Sequence, residues 1–375
     1  MELIEMKVGV LTSSRADFGI YLPLLKSLEE DTFFDLTIIA FGTHGSPFHG
    51  ETITEIQDAG FKHIDLIQSL LLNDNPNGIS TSYGLTVTKF ADYWSDNIFD
   101  LIFCLGDRFE MSAAVQAGIP FGVKFAHIHG GETTLGAIDN MYRHQITLAS
   151  AIHFPSTETY KKKIETIIGD DVYIFNVGSL SLDGIEDFQF MEKNKFLNKF
   201  GIPEKPYILN TFHPETVKPE KNQEYALEMK SVLYELSSEY FLVITMPNAD
   251  TNGKVFRNAI KELKNEMPEQ VLCIENFGKS NYFNAMRYSK FLLGNTSSGI
   301  IEAASFEKYV VNVGNRQRGR ARSENVVDCD FRANDILKAV SKVKDFDTFE
   351  GTNIYQKNNT ASTIVDTLKN NYASL

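Results

Sequence analysis

Residues 100–110 read DLIFCLGDRFE. Five apolar residues in a row are followed by a glycine, and then by an acid, a base and a second acid. The run is too short to span a bilayer, and it lacks the alternation of a half-exposed strand. It reads as a strand buried on both faces that turns at a glycine and delivers charge at its carboxyl end. Three further runs in the first half have the same form: KVGVLTS (7–13), FDLTIIAFG (34–42) and KFAHIHG (124–130). Between them the period becomes helical, as in GIYLPLLKSLEED (19–31), where Ile20, Leu24, Leu25 and Leu28 share one stripe. Strand–helix alternation of this kind predicts a doubly wound α/β domain on a parallel sheet.

The pattern loosens after Gly178. SLDGIEDFQFMEKNKFLNKFGIPEKP (181–206) is charged, carries two prolines and reads as a connection with one helix in it. A second alternating set then begins: YILNTF (207–212), YFLVITM (240–246), VLCIEN (271–276), KFLLGN (290–295) and YVVNVG (309–314). Between the first two, Tyr225, Met229, Val232, Leu233 and Leu236 form an amphipathic stripe, and TASTIVDTLKNN (360–371) reads as a final helix. The expected organisation is a Rossmann-like domain over 1–180, a linker over 181–206, a second Rossmann-like domain over 207–355 and a terminal helix over 356–375, with a ligand cleft between the domains.

A chain of 375 residues with 43% hydrophobic and 23% charged residues is long enough for two cores. Its formal charge of −13 argues against nucleic acid or an anionic membrane surface as partner. Three scattered cysteines, Cys104, Cys273 and Cys329, form no CxxC pair, so the expected compartment is a reducing cytoplasm. MELIEMKVGV has acids rather than a basic patch before its short apolar run, which reads as a strand and not as a signal peptide.

In parallel sheets, ligands bind beyond the carboxyl ends of the strands. The chemically rich stretches fall there: TSSRAD, GDRFE, HGGE, FHPET and NTSSG. GNTSSGIIEAASF (294–306) places Thr296, Ser297 and Ser298 at a strand-to-helix turn. That suits an anion, although ordinary N-capping accounts for such residues as well. RQRGRAR (316–322) gathers Arg316, Arg318, Arg320 and Arg322 after another strand, either as a solvated loop or as a clamp for a diphosphate. Arg15 in SSRAD offers a further guanidinium. There is no GxxxxGK[ST] and no GxGxxG after the first strand, so neither a P-loop nor a dinucleotide fold is indicated.

HIHGGETTLGAIDNMYRH (127–144) admits two readings. His127 and His129 form an HxH pair on one face of a strand, but no third or fourth metal ligand is evident at a compatible position. Alternatively, Asp107, Glu132 and Asp139 at strand ends make a set of general acids and bases. Asp139 and Arg143, four apart on a helix, would also form an ordinary structural ion pair.

Taken in order, SSRAD, GDRFE, HIHGGE with its following Asp and Arg-His, FHPET, PNADTNG and GNTSSGIIE with GNRQRGR resemble the UDP-N-acetylglucosamine 2-epimerase family from about Lys7 to Val327. The resemblance is to its UDP-hydrolysing branch, which opens sialic-acid-type sugar synthesis. Non-hydrolysing members typically carry Glu-Ala-Gly where this chain has His129-Gly130-Gly131. The resemblance implies two Rossmann-like parallel-sheet domains of the GT-B type, a homodimer or homotetramer, and no metal or redox cofactor. It implies elimination of UDP to a 2-acetamidoglucal followed by hydration with inversion at C2. The sugar would be N-acetylglucosamine or, as the alternative, a 2,4-diacetamido-2,4,6-trideoxy hexose. A glycosyltransferase and a non-catalytic sugar-nucleotide sensor are more distant alternatives. Carried over by motif, Asp107, Glu132 and Asp139 are catalytic acids, with Arg143 orienting one of them. Arg15, Asp17, His213, Asn248, Asp250, Thr296, Ser297, Ser298, Glu302 and Arg316 hold the substrate or UDP. Many relatives have a glutamate at position 129, so proton transfer falls to His129 or to Glu132.

Overall fold

The structure is a computed structural model and describes residues 6–46, 52–71, 75–247 and 253–374. Asn248 and Asp250 lie outside the described residues. Two compact units divide the chain: Met1–Glu132 with Asp139–Gly184 and Tyr355–Leu375, and Thr133–Ile138 with Ile185–Ile354.

In unit 1 the strands are β1 (Met6–Thr12), β2 (Phe34–Ala40), β3 (Ile64–Leu66), β4 (Leu101–Leu105), β5 (Phe125–Ile128) and β6 (Ile152–Phe154). In unit 2 they are β7 (Tyr207–Thr211), β8 (Phe241–Thr245), β9 (Val271–Ile274), β10 (Leu292–Gly294), β11 (Val310–Val313) and β12 (Val326–Cys329). Each sheet is six-stranded, in the orders β3-β2-β1-β4-β5-β6 and β12-β11-β10-β7-β8-β9. All pairings are parallel. The first sheet has the order 3-2-1-4-5-6 of the Rossmann arrangement, and the second is likewise a parallel sheet wound outward in both directions from its centre. The fold is therefore α/β with two Rossmann-like sheets, of the GT-B type.

The apolar runs become strands because helices cover both faces of each sheet. In unit 1, Val8, Val10, Ile38 and Phe103 pack with Tyr21, Leu24, Leu25 and Leu28 on one side. Leu11, Ile39, Ile102 and Cys104 pack with Phe90, Trp94, Met111 and Val115 on the other. The first helix, Arg15–Glu30, starts earlier than the apolar stripe suggests. The Ser14 side chain accepts from Asp17 N, while the Asp17 carboxylate accepts from Ser13 N at 3.0 Å and Ser13 Oγ at 2.6 Å. That reciprocal cap fixes the helix start within a few residues of β1.

Two boundaries differ from the sequence expectation. The 181–206 stretch is no bare linker: Ile185, Phe196, Leu197 and Ile202 are buried with Tyr207, Phe241 and Phe283 in a core of unit 2. The terminal helix Thr360–Asn371 belongs to unit 1, where Ile364, Val365 and Leu368 join the core beside Leu25 and Leu28. Tyr355 anchors its approach through a 2.7 Å bond between its hydroxyl and that of Tyr160. Among the described residues, no helix is long and apolar enough to cross a membrane.

Candidate active site

Where a doubly wound sheet reverses its winding, a crevice opens at the carboxyl ends of the two central strands. In unit 1 that position lies between β1 and β4, and in unit 2 between β7 and β10. SSRAD and GDRFE flank the first crevice, FHPET and NTSSG the second.

After β4 the chain turns at Gly106, φ +77°, and presents Asp107. Asp107, a quarter exposed, accepts from Nη2 of Arg143, whose side chain is 2% exposed. Expected to pair with Asp139 four residues back, Arg143 thus reaches across to the end of β4. Its Nε and Nη1 have no hydrogen-bond partner among the described residues. Its charge also pushes down the pKa values of His127, His144 and Lys163, in each case after the larger effect of burial. Asp139 opens the helix Asp139–Ala149 and is half-buried. Arg108 bonds the buried Glu110 at 2.7 Å; that carboxylate first, with Asp17 and Asp139 also contributing, raises the Arg108 pKa. Arg15, half exposed, faces Glu55 at 3.5 Å.

The HIHGGE stretch resolves differently from an HxH pair on one strand face. β5 ends at Ile128, and His129 adopts φ +62°, so the alternation stops between the two histidines. His127 is tied by Nδ1 to Thr147 Oγ1 at 3.1 Å and by Nε2 to Gly106 O at 2.9 Å. Burial leads in pushing its pKa well down, so His127 is a neutral core residue. His129, in contrast, sets Nδ1 3.4 Å from a Glu132 oxygen and Nε2 3.5 Å from Ser179 Oγ. Glu132 is 1% exposed, and its Oε1 also accepts from Ser156 Oγ at 3.1 Å. The loop closes this tightly because Gly131 has φ +75°, and a Cβ there would lie 2.6 Å from Tyr160 O. Among the described residues, no group of three or more His, Cys, Asp or Glu could hold a metal ion.

Unit 2 gathers a different inventory. Asn295, fully buried after β10, exchanges two bonds with the backbone of His213 after β7: it accepts from His213 N at 2.7 Å and donates to His213 O at 2.8 Å. Its own carbonyl accepts from Arg316 Nη1 at 3.3 Å and Gln317 Nε2 at 3.0 Å. One residue thus joins the loops after β7, β10 and β11. Burial, and after it the Arg316 charge, push the His213 imidazole down to about 3, so it is neutral at neutral pH. Thr296 caps the short helix Ser297–Ile301 by backbone geometry alone, which leaves its hydroxyl out of the cap. Glu302 comes directly after that helix, part-buried, within electrostatic reach of Tyr282. The four-arginine run splits up: Arg316 turns to Asn295, while Arg322 bonds Asp328. Arg318 O accepts from Leu135 N at 2.9 Å.

Unit 1 therefore brings together Asp107 with Arg143, and Glu132 with His129; unit 2 brings together His213, Arg316 and the 296–298 turn. Asn295, Tyr282, Arg108 and Glu110 are the residues that reading the sequence passed over. Asn295 lay inside the quoted NTSSG, where its neighbours' hydroxyls drew the attention.

A family model described as UDP-N-acetylglucosamine 2-epimerase matches residues 26–369. The chain belongs to that family, in its UDP-hydrolysing branch. The enzyme is 32% identical over 343 residues to the GDP/UDP-N,N'-diacetylbacillosamine 2-epimerase (hydrolyzing) of Campylobacter jejuni, covering 91% of this chain and 88% of that one. It is 31% identical over 365 residues to the UDP-N,N'-diacetylbacillosamine 2-epimerase (hydrolyzing) of Legionella pneumophila, covering 97% and 95%. Its fold is that of the UDP-GlcNAc 2-epimerase from Neisseria meningitidis solved with UDP-GlcNAc bound, with a TM-score of 0.81 at 18% identity over 98% of this chain and 100% of that one. As a hydrolysing 2-epimerase of UDP-sugars, the enzyme needs an anion-holding set and a proton-transfer set. The two switch points are furnished with residues of those two kinds.

Proposed function

We propose that the enzyme takes a UDP-activated 2,4-diacetamido-2,4,6-trideoxy hexose and water to UDP and the free sugar epimerised at C2. A carboxylate of unit 1 removes the C2 proton, and the electrons of that bond form C1=C2. The C1–O bond breaks toward the diphosphate, and UDP leaves. Water then adds its oxygen at C1 while a proton is returned to C2 on the opposite face.

The observation that supports this reading is the placement of one carboxylate beyond the end of each of two adjacent strands. Leu105 of β4 and Ile128 of β5 are register partners, and Asp107 and Glu132 come shortly after them. Asp107 is part-exposed and held by a guanidinium; Glu132 is buried and held by an imidazole and a hydroxyl. Two carboxyl groups in such different surroundings are suited to different proton-transfer steps. In this reading Asp139 is the third acid and Arg143 orients Asp107. His213, Ser297, Ser298 and Arg316 hold the diphosphate, where positive charge lowers the barrier to its departure. Glu302 takes the ribose hydroxyls, and Arg15 and Asp17 complete the nucleotide-sugar contacts.

The choice of sugar rests on the names of the two relatives from Campylobacter jejuni and Legionella pneumophila. The second reading, UDP-N-acetylglucosamine to N-acetylmannosamine and UDP, rests on the description of the family model. Incubation with each nucleotide sugar in D2O, with a chelator present and proton NMR as readout, tests both. Expected are UDP and a free sugar carrying deuterium at C2, formed fastest from the diacetamido substrate. Faster turnover of UDP-N-acetylglucosamine moves the assignment to the second reading. Product that keeps its original C2 hydrogen overturns the elimination mechanism for both.

A further inference from the structure

Two residues after His213, on the loop that follows β7, Glu215 is 1% exposed. Asn222, itself buried, clamps the Glu215 backbone on both sides: Asn222 Oδ1 accepts from Glu215 N and Asn222 Nδ2 donates to Glu215 O, both at 3.0 Å. From that fixed stem the Glu215 carboxylate accepts, through Oε1, from Asn315 N at 2.7 Å. A buried carboxylate is costly unless it is hydrogen-bonded, and here the bond goes to a turn and not to a helix or a strand.

The turn is the one by which the chain leaves β11. It passes Gly314 at φ +76°, and a Cβ there would lie 2.8 Å from Glu215 Oε1. Glycine therefore permits the left-handed turn and also leaves room for the carboxylate. Gly314 N donates to Cys329 O at 2.9 Å, and Arg318 N donates to Asn315 O at 2.9 Å. Between those ties stands Arg316, whose Nη1 reaches Asn295 O at 3.3 Å. A long guanidinium is placed only as well as the backbone beneath it, and a loop backbone holds still where it is tied. Glu215 ties it directly before Arg316. The loops after β7 and β11 are thus fastened twice, through Asn295 between His213 and Arg316 and through Glu215 on Asn315.

We propose that Glu215 is a positioning residue for Arg316: by accepting from Asn315 N it fixes the turn on which the guanidinium stands, and so sets Arg316 as a donor to a phosphate oxygen. This rests on the nucleotide-sugar reading above. What acts is an acceptor at the right reach, since a negative charge as such opposes an anion nearby. Withdrawing the acceptor frees the turn, and one charge-assisted bond to the anion weakens.

The test uses the full chain as wild type, Glu215→Asp, Glu215→Gln, Arg316→Gln and the double variant Glu215→Asp with Arg316→Gln. UDP is titrated calorimetrically and uridine, which has no phosphate, by ligand-observed NMR. Glu215→Asp keeps the charge but withdraws it from Asn315 N. It is expected to weaken UDP about 3- to 10-fold, a loss on the scale of one hydrogen bond, while uridine changes less than about twofold. Glu215→Gln keeps an acceptor at the same reach and should stay within about threefold of wild type for UDP. In the Arg316→Gln background, Glu215→Asp should cost less than about twofold more, because residues that act through one another do not add. Asn222→Ala, which releases the stem of Glu215, stands in if Glu215→Asp fails to fold. Unchanged UDP affinity in the folded variants overturns the proposal. So does an equal loss for UDP and uridine, a full additional loss in the double variant, or a loss in Glu215→Gln as large as in Glu215→Asp. Arg316→Gln that binds UDP as wild type does overturns the diphosphate reading of Arg316 itself, and this proposal with it.

Discussion

Arg143→Met separates a residue kept for chemistry from one kept for folding. Arg143 is 2% exposed and gives one bond to Asp107, while its Nε and Nη1 lack partners among the described residues. A buried N–H left unsatisfied costs about 1–3 kcal/mol, so two of them cost roughly 2–6. Against this stands one charge-assisted bond, worth about 1.5–3 kcal/mol, to a carboxylate that is a quarter exposed and can rehydrate. Methionine fills much of the same volume without polar hydrogens and also removes a cation that depresses His144 and Lys163. The sum places the variant between about 1 kcal/mol less stable and about 4.5 kcal/mol more stable, with its middle near 2 kcal/mol more stable. At roughly 2–4 °C per kcal/mol for units of this size, the thermal midpoint should stay level or rise by several degrees. Turnover should fall at least ~100-fold through loss of the Asp107 partner. A structural ion pair behaves in the opposite way, since breaking one in the interior costs about 3–5 kcal/mol and leaves chemistry alone. Differential scanning fluorimetry beside a UDP-release assay distinguishes the two. A midpoint lowered by more than about 6 °C with turnover within tenfold of wild type would refute the reasoning.

His129→Gly relieves a left-handed backbone that costs a non-glycine residue about 1–2 kcal/mol, so the variant should fold at least as well by thermal midpoint. Its turnover should nevertheless drop tenfold or more, because Glu132 loses the imidazole at 3.4 Å; full activity would make His129 a spectator. Asn295→Ala strips partners from His213 N and O at once. It should lower UDP affinity at least tenfold in calorimetry, and an unchanged affinity would show that the loops after β7 and β10 are positioned without it. Acid stability depends on His153, which is 1% exposed and whose pKa burial pushes down to about 4. Above its ordinary value of 6.5, the folded and unfolded chains both hold it neutral. Below that the unfolded chain takes up a proton that the folded chain refuses, so stability falls from about pH 6.5 to 4. The loss is on the order of 3 kcal/mol, with buried His127 acting in the same direction. His153→Phe should flatten the thermal midpoint over that interval, and an unaltered slope counts against this assignment.

The long central strands were legible because burial on both faces leaves a continuous apolar run, as in LIFCL and FLVIT. The strands that escaped are β3, β6 and β12, at sheet edges and only three or four residues long. In IDL or IHF no period can develop, and only the neighbouring strand defines the element. The connection over 181–206 does hold one helix, Lys193–Phe200, but charge on its exposed face hid the few apolar positions, Phe196, Leu197 and Ile202, that join it to a core of unit 2. Residue types at strand ends marked where charged and polar side chains gather, but not which of them pair. Spacing suggested Asp139 for Arg143, yet Asp107, 36 residues away in sequence, takes the guanidinium. Helical spacing encodes neighbours on one helix and says nothing about a side chain that reaches over a strand end.

Both units use a doubly wound parallel sheet, and their switch points differ in the chemistry of the loops beyond the strands. The loops of unit 1 carry Asp107, Glu110, Glu132 and Asp139, and Arg143 and Arg108 are tied there to Asp107 and Glu110. That arrangement holds acids in place and leaves little net positive charge to attract an anion. The loops of unit 2 carry hydroxyls, a neutral imidazole and Arg316, which donates to the backbone carbonyl of Asn295. That bond seats the Arg316 guanidinium beside the residue that also holds His213, one position before the 296–298 turn. Arg322 points elsewhere: it is drawn to Asp328 on the edge strand β12, where a carboxylate offsets its charge. Arg316 should therefore matter more for the diphosphate than Arg322, although a count of charges would rank them equally. Arg316→Gln should weaken UDP by tenfold or more and Arg322→Gln by less than about twofold, read by calorimetry. Equal losses would mean that the field of the whole run, and not one placed guanidinium, holds the anion.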